Sequence, residues 1–151
     1  MALREIRTFD DPILRKKCRT VDGVDDRIRT ILSDMADTMY GTASGGGLAA
    51  NQVGILRRLV VIDVGKGLLK LINPEIVSTE GVQIVNEGCL SFPNIWGKVN
   101  RPKKVTVKYI NENGETTCID GEGLLAQCLC HEIDHLDGIV FINKVTEFIK
   151  V

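Results

Sequence analysis

The chain has 151 residues, 44% hydrophobic and 26% charged, with 19 basic and 20 acidic side chains for a formal charge of −1. That length suits one domain, residues 1–151, around one core, and the near-neutral balance offers no polycationic surface to nucleic acid or an anionic membrane. No apolar run approaches membrane-spanning length and the N-terminus lacks a secretory pattern, so the expected compartment is the cytoplasm; five cysteines, an odd count, favour thiols or a metal thiolate over a fully paired disulfide framework.

Ile6 to Phe9 reads as a short extended arm that turns at Asp10-Asp11-Pro12. Between Asp25 and Gly41, the residues Ile28, Ile31, Leu32, Met35 and Met39 recur at helical intervals. They predict an amphipathic helix packed on a core, capped by Asp25 or Asp26. The methionines read as gap-filling core residues. Next comes Gly41 to Gly54, where Gly45, Gly46 and Gly47 stand in a row and permit close backbone approach. A phosphate loop would end in Gly-Lys-Ser/Thr, which is missing. Gln52, an amide donor behind two small alanines, favours a substrate loop.

Arg58 to Val64 and Leu68 to Ile72 are β-type runs split by Gly65-Lys-Gly67, a predicted hairpin whose second strand ends at Asn73-Pro74. Glu75 to Val85 predicts another strand pair, bent at Glu80-Gly81 and leading into Glu87-Gly-Cys-Leu-Ser91. Val105 to Ile110 and Glu115 to Ile119 flank Asn111-Glu-Asn-Gly114, a hairpin signal. An early helix, many strands and a late helix give an α+β fold. Antiparallel sheets are expected to pack around the late helix, which is central and buried, with the amphipathic helix N-terminal to them.

The late stretch, Leu124 to Gly138, holds both histidines of the chain. In a helix, His131 and His135 share one face with Glu132 beside them, the pattern His-Glu-x-x-His, and Leu124 and Cys128 fall within about 60° of the same stripe. Asp120 is the expected cap at its start, and Gly138 suits its end. Two imidazoles do not make a stable metal site, and a third ligand has two sources. One is Glu147, the only acid after Asp137; the other is a thiolate, with Cys89 best framed for the role. Cys128 reads as packing beneath the site, and Cys18 and Cys118 as ordinary small apolar residues.

Three separated motifs then coincide: Gly45-Gly-Gly47-Leu-Ala-Ala-Asn-Gln52, Glu87-Gly-Cys-Leu-Ser91 and His131-Glu-Ile-Asp-His135. In this order they resemble the signature motifs of the peptide deformylase family, hydrolases that remove formate from the N-terminal formylmethionine of new proteins. The resemblance implies Cys89, His131 and His135 as metal ligands. It implies ferrous iron as the usual ion, with zinc, nickel or cobalt able to replace it. Glu132 would carry a proton from water to the leaving amine, and the Gln52 side chain and Leu90 backbone N–H would stabilise the oxyanion.

By the same resemblance, Gly45, Gly46, Gly47 and Leu90 lie along an extended substrate, Leu124 and Cys128 help to wall the methionine pocket, and Glu87 pairs with Arg101 to brace the cysteine loop. The substrate is the N-formylmethionyl peptide of a nascent chain, and the ribosome is a candidate partner. There are departures from the family pattern: Gly46 where isoleucine or valine is usual, Gln127 at an apolar pocket position, Cys130 where glutamine is frequent, and Trp96 where some members have arginine. The longer C-terminal helix of some members is missing, and activity is expected without it. The helix motif alone also fits a metalloprotease that cleaves internal peptide bonds, or a metal- or peptide-binding module without turnover.

Overall fold

A computed structural model describes residues 3–42 and 46–149. The amphipathic repeat folds as helix α1, Asp26–Tyr40. Asp25 is extended before it, and its carboxylate accepts from the Ile28 N–H at 2.9 Å, a cap worth about 1 kcal/mol. The five predicted apolar residues are buried and share a core with Leu48, Leu59 and Ile72. Each such burial contributes roughly 1.5–3 kcal/mol.

The strands form two antiparallel sheets. The larger contains β1 (Gly47–Ala49), β2 (Leu59–Ile62), β3 (Leu69–Glu80), β6 (Lys104–Ile110) and β7 (Thr116–Glu122), in the order β1-β2-β3-β6-β7. The smaller contains β4 (Gln83–Cys89), β5 (Phe92–Arg101) and β8 (Val145–Ile149), in the order β4-β5-β8. The β2–β3 and β6–β7 hairpins follow the turn signals at Gly65-Lys-Gly67 and Asn113-Gly114.

Two strand expectations are corrected. The second strand does not end at Asn73-Pro74; β3 continues to Glu80 through a register shift between Ile72 and Glu75. Asn73 takes φ 52 there, and its amide side chain bonds both the N–H and the carbonyl of Val21 at 2.8 Å. Pro74 lies within this irregularity, where its missing N–H removes no ladder bond. Nor do the segments 75–80 and 83–85 pair with each other. The turn at Gly81, φ 69, passes the chain from one sheet to the other, so β3 pairs with β6 and β4 with β5.

The late helix is α2, Leu124–Leu136. Its start is not capped by Asp120, which is still in β7 and accepts from Thr106 Oγ1 at 2.7 Å. The chain instead turns at Gly123, φ 62, without a side-chain cap. Its end follows the expected glycine. Gly138 has φ 75, and a Cβ there would stand 2.5 Å from the Arg15 carbonyl oxygen, so no other residue fits. Ala126, Leu129, Ile133 and Leu136 bury their side chains against Val60, Ile62, Leu71 and Val107 of the larger sheet. A third cluster, with Leu14, Phe92, Val99 and Phe141, fills the space under the smaller sheet. Among the described residues, no helix is long and apolar enough to cross a membrane.

Candidate active site

Helix α2 turns one stripe away from the larger sheet, toward the end of β4 and the turn that follows it. There the Sγ of Cys89 lies 3.3 Å from His135 Nε2, which lies 3.2 Å from His131 Nε2. All three ligand-type atoms fall within 4.8 Å of one another. One sulfur and two imidazole nitrogens form a donor set suited to a transition-metal ion. His131 is oriented from behind, its Nδ1 hydrogen-bonded to Glu87 Oε1, which leaves Nε2 facing the sulfur. Burial holds His135 well below the usual histidine range, so its ring is neutral and has a lone pair to give.

Glu87 is itself held by a buried chain of charges. Arg101 donates from Nε and Nη2 to its two oxygens at 3.0 and 2.8 Å, with side-chain exposures of only 2% and 3%. The Nη1 of Arg101 continues to Asp134 at 2.7 Å, and Lys144 closes the chain on Asp134 at 2.9 Å. Burial acts to raise the Glu87 carboxyl, but hydrogen bonds from His131 and Arg101 outweigh it and hold the group below its ordinary value. The pairing of Glu87 with Arg101 was anticipated. Asp134 and Lys144 were not, because a lone charge on a helix and another in a short 3-10 turn carry no signal of their meeting.

Glu132 projects beside the histidines and is buried. Its Oε2 is 4.0 Å from His131 Nε2, and its Oε1 has no hydrogen-bond partner. Burial pushes its carboxyl up to about 7, against the opposing charge of His131. A carboxyl near neutrality accepts and returns protons readily at physiological pH.

Gln52 comes from the short 3-10 turn Ala50–Val53, directly after β1. Its Oε1 accepts from the Ala49 N–H at 2.9 Å, which points the amide nitrogen the other way. That Nε2 donates to Ser91 Oγ at 3.0 Å and lies 3.6 Å from Cys89 Sγ. The neighbouring Asn51 Nδ2 donates to the His135 carbonyl at 2.5 Å, tying this turn to the end of α2. The N-terminal arm joins the same place: Arg7 N–H donates to the Gln52 carbonyl at 2.7 Å and Phe9 N–H to that of Ser91 at 2.9 Å. Neither contact was foreseen, since backbone bonds from an irregular arm leave no pattern in side chains.

A cavity of about 660 Å³ opens above these groups. Gly46, Gly47, Leu90, Leu124 and Cys128 line it together with Gln52, Cys89, His131 and Glu132. Gly45 lies outside the described residues. Cys128 faces the cavity rather than lying wholly beneath it, and burial pushes its thiol up to about 12. Cys18 is a buried packing residue as expected, but Cys118 is exposed on β7, on the side of the strand turned to solvent, and does not pack.

Residues 3–150 match the model of the family described as polypeptide deformylase. The chain is 61% identical to peptide deformylase 2 of Clostridium acetobutylicum over 99% of its own length and 100% of that protein's. It is 60% identical to the peptide deformylase of Caldanaerobacter subterraneus, covering 99% and 93%. The crystal structure of the Thermotoga maritima peptide deformylase superposes with a TM-score of 0.93 at 41% identity, covering 97% of this chain and 99% of that one. The Synechococcus elongatus enzyme, solved in complex with actinonin, gives 0.92 at 41% identity, covering 95% and 79%.

Proposed function

The chain belongs to the polypeptide deformylase family, metal-dependent enzymes that remove the N-formyl group from nascent peptides, and we propose that Cys89, His131 and His135 are the ligands of its metal ion. The convergence of those three donor atoms within 4.8 Å is the observation that carries this reading. Residues 1–151 act as a single catalytic domain, with the helix bearing His131 and His135 as its buried centre. Ferrous iron is the proposed ion, with zinc, nickel or cobalt as substitutes.

When bound, a divalent ion there supplies Lewis acidity, which polarises the formyl carbonyl and acidifies water. The chain's own groups do the rest. Glu132 takes a proton from the attacking water at its free carboxylate oxygen and delivers it to the amine nitrogen as the C–N bond breaks. The Gln52 Nε2 and the Leu90 backbone N–H donate to the formyl oxygen as negative charge grows on it. Gln52 is already oriented for this by its bond from Ala49. Water and the formyl amide leave as formate and a free α-amino group.

The peptide lies extended between Gly46 and Gly47 on one side and the chain at Leu90 on the other, with methionine directed toward Leu124 and Cys128. Glu87 and Arg101 keep the cysteine segment and His131 in register. The setting is the cytoplasm, where formylated chains emerge from the ribosome. Actinonin, which the Synechococcus elongatus enzyme binds, is proposed to occupy this cavity and compete with substrate.

The test is metal analysis together with formate release from formyl-Met peptides, using anaerobically prepared protein and its Cys89→Ala variant. Formate release and loss of metal in the variant support the reading. Cleavage of internal peptide bonds, with metal binding indifferent to Cys89, would instead indicate a protease.

A further inference from the structure

Gln127 stands one helical turn before His131 on α2 and lines the cavity beside Leu124 and Cys128. A glutamine amide carries two N–H donors and a carbonyl acceptor. Its Nε2 reaches across to β4 and donates to the Asn86 carbonyl at 3.5 Å, which is long for such a bond. Among the described residues Gln127 has no other side-chain hydrogen bond. The wall of the pocket that would take the methionine side chain thus carries an amide with a second N–H to give.

The opposite wall has room for an additional atom. Gly46 lines the same cavity without a side chain, and a Cβ there would lie 3.8 Å from both Cys128 Sγ and Val64 Cγ1. Val64 and Leu124 offer apolar surface to methylene groups. A methionine thioether is only a weak acceptor and makes little use of an amide donor. A sulfoxide oxygen is a strong one. Placed against apolar groups without a donor it is disfavoured by lost hydration, whereas a hydrogen bond from the wall compensates that loss.

We propose that Gln127 is a specificity-determining residue that lets the site accept formyl peptides beginning with methionine sulfoxide as well as those beginning with methionine. The inference rests on the deformylase reading of the site, which directs the first side chain toward Leu124 and Cys128. The Gln127 N–H donates to the sulfoxide oxygen, the space beside Gly46 admits it, and Val64 and Leu124 hold the methylenes. The reaction is the same hydrolysis: water and the formyl amide give formate and a free amine, and the sulfur keeps its oxidation state. An oxidised initiator methionine would therefore not block removal of its formyl group.

The experiment measures formate release by the metal-loaded full chain from formyl-Met-Ala-Ser, its methionine sulfoxide counterpart and its norleucine counterpart. In wild type, kcat/KM for the sulfoxide is expected within about tenfold of that for methionine. Gln127→Leu should lower the sulfoxide-to-methionine ratio by about tenfold, the loss of one hydrogen bond, and Gln127→Glu, which replaces the donor with an acceptor, by at least as much. Norleucine matches methionine in shape and lacks the oxygen, so its ratio to methionine should stay within about threefold in both variants. Each ratio is taken within one protein, so a general loss of folded enzyme cancels. A wild-type sulfoxide ratio below about one tenth, a ratio unchanged in either variant, or an equal fall for norleucine overturns the proposal. Release of no formate from formyl-Met-Ala-Ser would instead overturn the deformylase reading itself.

Discussion

Gly47 and Glu132 meet so closely that a Cβ on Gly47 would stand 2.7 Å from Glu132 Oε2 and 3.0 Å from its Cγ. The glycine is required by the carboxylate, in addition to any substrate that passes it. Gly47→Ala is therefore expected to displace Glu132 and lower kcat by about a hundredfold or more, within the range for losing a general acid–base group. Gly46 differs, because a Cβ there has only ordinary contacts at 3.8 Å. Gly46→Ala should leave metal content and Tm at wild-type values, which metal analysis and thermal unfolding would check.

This pair also shows where sequence reasoning reaches and where it stops. The run of glycines and the spacing of the histidines were visible, as were the periodic apolar residues of α1 and the Asn-Gly turn between β6 and β7. All are local patterns, fixed by backbone geometry or by one face of one element. The contact between Gly47 and Glu132 spans most of the chain, as does that between Asn51 and the His135 carbonyl. Such meetings depend on which strands pair, and alternation does not specify partners. The same limit explains the error at Asn73-Pro74, where a side-chain bond to distant Val21 overrode a local stop signal, whereas Asp120 fails as a cap because it pairs with Thr106 across the β6–β7 hairpin and stays in the strand.

The chain from Glu87 through Arg101 and Asp134 to Lys144 is expected to support both fold and metal site. Arg101→Met leaves two carboxylates without their main cation in a buried setting, which costs about 3–5 kcal/mol. Denaturant unfolding should register that loss, and metal should dissociate faster because Glu87, which orients His131, loses the guanidinium that holds it. Lys144→Met removes only the half-exposed end and should cost about 1 kcal/mol or less.

Burial pushes the Cys18 thiol up from 9.0 to about 11. In the unfolded chain the thiol ionises from about pH 9, while in the native state it stays protonated. Its contribution to stability is thus fully present below pH 9 and is lost as pH rises from 9 to 11. Cys130 acts with the same sign, its thiol also pushed up to about 11 by burial. Urea unfolding at pH 8, 9, 10 and 10.5 should show falling stability, and Cys18→Ala should flatten the slope. Iodoacetamide at pH 8 should modify exposed Cys118 and spare Cys18 until the protein unfolds.

A thiolate beside a ferrous ion is open to oxidation. The iron-loaded protein is expected to lose activity in air within a time over which the nickel-loaded protein retains most of its own. Parallel aerobic half-lives of the two forms, followed by formate release, check this.

Glu132 is the proposed carrier of the proton in a metal-dependent deformylation. Its most direct test is formate release from a formyl-Met peptide by wild type and by Glu132→Gln, with metal content measured on the same samples. Equal metal occupancy and a fall of about 10²–10⁴-fold in kcat are expected for the variant. Wild-type turnover by Glu132→Gln at full occupancy, or a metal-loaded wild type that releases no formate, would contradict it.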